Sequence, residues 1–511
     1  MSAQSTGDAA EYEAVAQAAL AKYASLPRRG KPKRRDNGMP EWTVMAAICL
    51  VTGAGNGRQV HCVSIGTGLK ALPHARLPVH GDVLHDSHAE VLARRGFHLW
   101  TYAQIERAFA AEAAKGKARE EDPLLDASYF ERGSSGYWQL RPEWRIVLYV
   151  STLPCGDAST YLLAATADAA DLATGGNGRS SSSGTTPTEA APNAQSSKPV
   201  PSLAVAASLG LSTARDRPSN SDTLATSPTA TPLLVHRGRV SYSSFSCLRT
   251  KPGRADSPPT TSHSCSDKLA VWSLLGLQGA LLSQFGVRRM PIEALVVGGV
   301  PKQHQERVGE EARRAIGGRL EDWAWSIGLS PDDFTPPRIC FTDQVFEHGR
   351  EIVAAEAACP VSNVASCSES LSYVAELGDG QNAVEVINNG IRSGAKNCRP
   401  PSGGPLSPKT QSRLSKLSLF ERFSRLSFSS TAAESSNGSA TTYYASKHRV
   451  RAQAVSSEDA TPGETYQALK TKLRAADTGP FAGWLVSGKP WESFDRQGHV
   501  YGREEGLEET Q

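Results

Sequence analysis

Three short stretches of the 511-residue chain carry residue types that could share one reaction. In the first, His88-Ala-Glu90 sets an imidazole and a carboxylate two positions apart, behind Asp86 and Ser87. In the second, Pro154-Cys155-Gly156-Asp157 closes an apolar run. In the third, Ser264-Cys265-Ser266-Asp267-Lys268 opens one. A catalytic zinc takes three protein ligands and leaves a fourth position for water. His88, Cys155 and Cys265 are the candidates for the three. Water at zinc loses a proton near neutral pH. Glu90, beside a ligand but not itself one, could carry that proton. The H-x-E triplet alone arises by chance in many proteins, and either cysteine alone reads as a small core residue. All three motifs in this order, each at an element boundary, favour the metal.

The elements around these motifs follow from pattern. Asp86 and Ser87 are helix N-cap types, and apolar or helix-favouring residues come after them. This predicts a helix to about residue 114 with His88 and Glu90 in its first turn. Upstream, apolar stretches at 42–52 and 59–65 flank Gly53-Ala-Gly-Asn-Gly57, a hairpin signal. Residues 145–151 read as a buried strand that delivers Cys155 at its carboxyl end, where open α/β sheets place their chemistry. Further strands are expected at 292–297 and 384–388. Helices are expected at 9–26, 269–285, 303–320, 414–426 and 465–476. There is no internal repeat. The alternation implies an α/β fold.

Net charge is only +3, so no global basic field exists and any nucleic-acid footprint must be local. Two local basic stretches stand out. Arg28-Arg-Gly-Lys-Pro-Lys-Arg-Arg35 holds six basic residues in eight. It fits a solvated arm, a phosphate-contacting segment or a nuclear localisation signal. Residues 248–254 form a second, in which Arg249, Lys251 and Arg254 are candidate phosphate contacts. Nine irregularly spaced cysteines and a polar, Ala-rich start argue against a secreted disulfide scaffold. No apolar run reaches 18 residues, which argues against a membrane span. With 45 glycines and 31 prolines, the globular part is expected to be diluted by disordered insertions, at 172–232 and, largely, at 396–440.

Asp86-Ser-His-Ala-Glu90, Pro154-Cys-Gly-Asp157 and Ser264-Cys-Ser-Asp-Lys268, followed by Trp272 and Gly276-Leu-Gln-Gly279, resemble the adenosine-deaminase domain of RNA-editing enzymes. In that family the third ligand is a distant S-C-S-D-K cysteine. That accounts for Ala158, which stands where a P-C-x-x-C motif would have its second thiol. Within the family, the Glu41-Trp-Thr43 entry and the short Arg249–Arg254 loop resemble the tRNA-specific adenosine deaminase 1 group. The chain also shows no double-stranded-RNA-binding domain pattern. The resemblance implies a single domain over 1–511 with an ordered core at about 40–495. Its fold would be a cytidine-deaminase-like three-layer α/β/α core with a mixed central sheet and helices on both faces.

It further implies zinc-dependent conversion of adenosine to inosine in tRNA, at the adenosine 3′ of the anticodon of alanine tRNA. The protein would work inside the cell, in nucleus or cytoplasm, without an obligate protein partner. The same family buries an inositol hexakisphosphate. Matching positions are Arg94, Arg95, Lys268, Trp272, Tyr443, Lys447, Trp484 and Lys489, with Asp86 linking that shell to the zinc site. Val271 and Ala280 depart from residues common in the family there. Lys70 matches a position lining the nucleotide pocket.

Overall fold

Strands whose two faces are both apolar must be covered on both sides, and that requirement organises this molecule. The computed structural model describes residues 3–115, 129–166, 235–238, 244–251, 253, 257–377, 383–395, 399–400, 403–430, 441–449 and 460–501. The expected insertion at 172–232, Arg254 and the tract 431–440 lie outside them.

The strands in chain order are β1 (Glu41–Trp42), β2 (Met45–Thr52), β3 (Gln59–Thr67), β4 (Leu69–Ala71) and β5 (Asp86–His88). Next come β6 (Phe130–Arg132), β7 (Trp138–Leu140), β8 (Arg145–Val150), β9 (His236–Arg237) and β10 (Arg249–Thr250). The last are β11 (Ala294–Val297), β12 (Arg338–Phe341), β13 (Ala365–Ser366), β14 (Glu369–Val374), β15 (Val384–Asn388) and β16 (Ile391–Arg392). Eight of them form one sheet in the order β12-β11-β8-β2-β3-β14-β15-β16. β8, β11 and β12 run parallel, and the remaining neighbours are antiparallel, so the sheet is mixed.

Side chains alternate across a strand, and here each set has its own cover. Ala46, Ile48 and Leu50 of β2 and Ile146, Leu148 and Val150 of β8 face one layer. That layer includes helix α2 (Ala89–Lys115) through Leu92, Phe97 and Trp100, and the helix Cys265–Leu275. Met45, Ala47, Cys49 and Val51 of β2, with Val147 and Tyr149 of β8, face the other. There helix α1 (Ala3–Ser25) lays down Tyr12, Val15, Ala16, Ala19 and Tyr23. Each large apolar side chain so buried contributes roughly 1.5–3 kcal/mol. The three-layer α/β/α arrangement with a mixed sheet is as the resemblance implied.

Four details differ from expectation. The packed core begins with α1, well before residue 40, because α1 closes one face of the sheet. The helix expected over 269–285 is two helices, Cys265–Leu275 and Gly279–Gln284, since Gly276 at φ 84° terminates the first. The helix over 303–320 ends at Arg313, passes through a π turn at Arg314–Gly318 and resumes as Arg319–Ser326. Much of 396–440 is packed rather than loose. Arg399 pairs with buried Asp82 at 2.9 Å, Leu406 is buried, and the helix Lys416–Ser430 buries Leu417, Phe420 and Leu426. A Ser- and Pro-rich composition misled there because one buried carboxylate, Asp82, anchors the segment through both Arg399 and the Leu406 amide.

Candidate functional site

β4 and β5 pair antiparallel, with Leu69 opposite His88, Lys70 opposite Ser87 and Ala71 opposite Asp86. His88 therefore closes a strand instead of opening a helix. α2 begins one residue later and puts Glu90 in its first turn. Asp86 Oδ1 accepts from the His88 amide (3.0 Å), and Gly68 O accepts from the Ala89 amide (3.1 Å), which fixes this corner.

Cys155 follows β8 and Cys265 is the first residue of the helix Cys265–Leu275, capped by Ser264. Gly156 allows the two turns to touch. Its φ is +105°, and a Cβ there would stand 2.2 Å from Ser264 Oγ. The Ser266 amide then donates to Cys155 O (3.0 Å), and the Cys265 amide donates to Cys155 Sγ (3.3 Å).

The three candidate ligands meet. Cys155 Sγ is 3.8 Å and Cys265 Sγ 3.6 Å from His88 Nδ1, and all three ligand atoms lie within 4.8 Å of one another. Tetrahedral zinc with Zn–S about 2.3 Å and Zn–N about 2.0–2.1 Å places N and S roughly 3.6 Å apart. One nitrogen and two sulfurs at these separations fit zinc. Glu90 Oε2 is 3.1 Å from Cys265 Sγ, beside the cluster. The Cys155 thiol is held well below its ordinary pKa by its hydrogen bond with Cys265, helped by Lys251 and His88. Burial and the neighbouring Cys155 push Cys265 the opposite way.

Behind the ligands lies a buried ionic knot. Asp86 Oδ2 accepts from Lys251 Nζ (2.7 Å) and Ser262 Oγ (2.6 Å) and pairs with Lys268. Burial alone would raise the Asp86 carboxyl, but Lys251 and Lys268 override it and hold it well below the ordinary range. Lys251 Nζ also lies 3.3 Å from Cys265 Sγ. Lys251 is thus 3% exposed in the interior, not at the surface where a phosphate contact was expected. Arg249 is buried too. Its amide donates to Asp267, and its guanidinium donates to Gly238 O and Ser244 O. The basic loop is folded inward because Asp86 supplies the counter-charge of Lys251, while Asp267 holds the Arg249 amide and backbone carbonyls take its guanidinium. Lys70 remains exposed and donates to Ser366 Oγ at 2.7 Å.

Farther along α2 sits a second cluster. Arg94 donates to Leu277 O and stacks 4.7 Å over Trp272, and Arg95 reaches Leu414 O. Lys416 and Lys447 both bind Glu492 (3.0 and 2.6 Å) and lie near the Tyr443 ring. Lys470 and Arg474 complete the set. Among the described residues, these six cations and Lys268 have Asp86 and Glu492 as the carboxylates bearing on them. Burial pushes Arg95 and Arg474 down to about 10 and holds Lys470 well below its ordinary value. Among the described residues, buried Arg474 Nε and His85 Nε2 have no hydrogen-bond partner. Buried charge of one sign is costly unless paired, so these residues fit a polyanion.

Lys416, Lys470, Arg474 and Glu492 escaped the sequence reading. Tyr466, Lys470 and Arg474, spaced by four, would have marked one helix face. Trp484 stacks on His263 at 4.0 Å and carries Arg474 over its ring, at the edge of the cluster. Lys489 does not join it. It is exposed on the turn Lys489–Trp491, which Trp491 pins by donating to Leu77 O.

Residues 64–484 match the model of the adenosine-deaminase (editase) domain. The chain is 27% identical over 475 residues to the tRNA-specific adenosine deaminase 1 of Mus musculus, covering 81% of this chain and 87% of that protein. The Schizosaccharomyces pombe protein of the same name is 28% identical over 387 residues, 75% and 79% of the two chains. The double-stranded RNA-specific editase B2 of Mus musculus is 27% identical over 274 residues, 53% of this chain and 29% of that one. Both the match and the convergence of His88, Glu90, Cys155 and Cys265 on one pocket lead to the same statement: the chain belongs to the adenosine-deaminase (editase) domain family.

Proposed function

We propose that this protein is a zinc-dependent deaminase that converts adenosine to inosine in tRNA, at the adenosine 3′ of the anticodon of alanine tRNA. The observation that carries the reaction is Glu90 beside a His/Cys/Cys donor set that fits zinc. The tRNA class is supported by similarity to the tRNA-specific proteins of Mus musculus and Schizosaccharomyces pombe over 81% and 75% of this chain, against 53% for the editase B2 protein.

His88, Cys155 and Cys265 would hold zinc, which when bound supplies a readily deprotonated water. The target base must leave its stack to reach this buried corner. Glu90 would take a proton from the attacking water and pass it to N1 of adenine; it would then take the second proton from the new C6 hydroxyl and deliver it to N6 as the C6–N6 bond breaks, C6=O forms and ammonia leaves. Lys251, bound to Asp86 and close to Cys265, stabilises the thiolates and keeps this wall of the pocket rigid. Arg94, Arg95, Lys268, Lys416, Lys447, Lys470 and Arg474 would hold inositol hexakisphosphate, which when bound supplies the negative charge they need to remain ionised inside the fold. The Asp86–Lys268 pair would link the two sites.

The deciding experiment is Glu90→Ala, with inosine read by sequencing alanine tRNA and zinc measured per chain. Zinc should remain, and the rate should fall by at least about 10²–10⁴-fold, the usual worth of a positioned proton carrier. Surviving activity would overturn the mechanism. Inosine on long RNA duplexes but not on tRNA would move the substrate to the editase class.

A further inference from the structure

The Arg28–Arg35 run is a folded arch instead of a loose arm. The Lys31 amide donates to Arg28 O, the Arg35 amide to Met39 O and the Glu41 amide to Lys33 O. Lys31 is buried, with its ammonium on Ala24 O (3.1 Å) and 4.5 Å over the Tyr23 ring. Gly30, at φ +85°, presses on β15, and a Cβ there would come within 2.7 Å of Val386. What stays exposed is Arg28, Arg29, Lys33, Arg34 and Arg35.

The arch runs toward the catalytic corner. β1 pairs with β13, setting Trp42 opposite Ser366. Ser366 receives Arg35 Nη2 on its carbonyl (2.8 Å) and Lys70 Nζ on its hydroxyl (2.7 Å). Lys70 is the register partner of Ser87, and the next pair, Leu69 with His88, reaches the metal ligand. Exposed cations therefore extend from the arch to Lys70, one register step from the pair that contains His88. One nearby carboxylate, Glu41, neutralises Arg35, and the charge of the arch is carried by Arg28, Arg29, Lys33 and Arg34. Glu41 is buried against Arg35, while Asp36 and Glu347 are exposed.

We propose that the Arg28–Arg35 arch is a docking surface for the sugar-phosphate backbone of the RNA whose base enters the catalytic centre. Resting on the proposed function, it names where that substrate is gripped. Backbone phosphates are the usual partners of exposed Arg and Lys, and they position the nucleic acid without reading its sequence. An extruded base needs its flanking strand held at a fixed distance, and an arch tied to β13 and β15 provides that. A linear signal for an import receptor would need an extended, detachable segment, whereas here Lys31 and Pro32 are buried.

The test uses the full chain with Arg28→Gln, Lys33→Gln and Arg34→Gln combined, all three exposed. Whole-tRNA binding is measured against salt, together with inosine formation and melting temperature. At about 0.15 M salt the Kd should rise about tenfold or more. The slope of log K against log salt should flatten by about one per lost phosphate contact. Lys33→Gln alone should remove about one unit. Arg107→Gln, roughly 25 Å along α2 from Glu90, should change neither, and melting should be unaffected throughout. Unchanged affinity and slope in the triple variant overturn the proposal, including the case in which it merely fails to enter the nucleus. If that variant binds like wild type while wild type makes inosine, the arch fails and the deaminase stands. If wild type binds through the arch but makes no inosine, the deaminase fails and the arch stands.

Discussion

The protein buries two polar regions on the same helix, and they are balanced in opposite ways. Around Asp86, each charge meets a counter-charge: Lys251 and Lys268 share its carboxylate, Ser262 adds a hydrogen bond, and Lys251 extends to Cys265. Its donor set of one imidazole and two thiols suits a divalent cation. Around Tyr443 six cations gather, of which Lys416, Lys447, Lys470 and Arg474 share Glu492, and burial lowers the pKa of five of the six: Arg94, Arg95, Lys416, Lys470 and Arg474. That region suits a polyanion. The difference teaches that α2 joins a nearly self-sufficient site to one whose cations repel one another until an anion sits among them.

The comparison breaks most severely at Arg95. Arg95→Ala removes a cation from the second region only. With the proposed inositol phosphate as its partner, the loss should cost about 3–5 kcal/mol, the scale for a broken buried charge pair, and should strip that phosphate. Phosphorus per chain and melting temperature check it, and a variant that melts normally with full phosphorus would contradict the balance described. A smaller effect is expected at the first region from Gly156→Ala. The positive φ alone costs roughly 1–3 kcal/mol, and the contact with Ser264 adds to it. Zinc per chain should drop while phosphorus holds. Equal losses of both would mean that the sites are not separable.

The smallest effect is in pH. Burial holds Lys416 and Lys470 below their ordinary 10.5. Between the folded value and 10.5 the unfolded chain then binds more protons than the folded one, so stability rises with pH. Melting temperature should climb as pH rises toward 10.5, and on the proposed function added inositol hexakisphosphate should remove that climb. The carboxylates act elsewhere. Asp86 and Glu492 are depressed, so their contribution persists above the ordinary carboxylate range and fails only in stronger acid.

The His88, Cys155 and Cys265 cluster was legible in the sequence because each member sits in a short motif whose neighbours also build its turn. Gly156 and Ser264 mark the approach of two turns, and Asp86 both fixes the His88 amide and binds Lys268. The basic shell was legible only in part. Its members span Arg94 to Arg474, and nothing local distinguishes Lys416 from a solvated lysine. The boundary of α2 shifted past His88 because the β4–β5 pairing, a contact between segments, claims that residue for a strand.

By itself, then, the sequence determined the chemistry: an imidazole, two thiols and a carboxylate in motifs that admit few other uses, on elements whose periodicity already implied an α/β sheet. Tertiary structure decided direction. It turned Arg249 and Lys251 inward, left Lys70 and the Arg28–Arg35 arch outward, and sent Lys489 to the surface. The physical reason is that a basic residue carries the same charge in either place. Whether it is buried depends on a counter-charge such as Asp86, Asp267 or Glu492, brought alongside from a distant part of the chain.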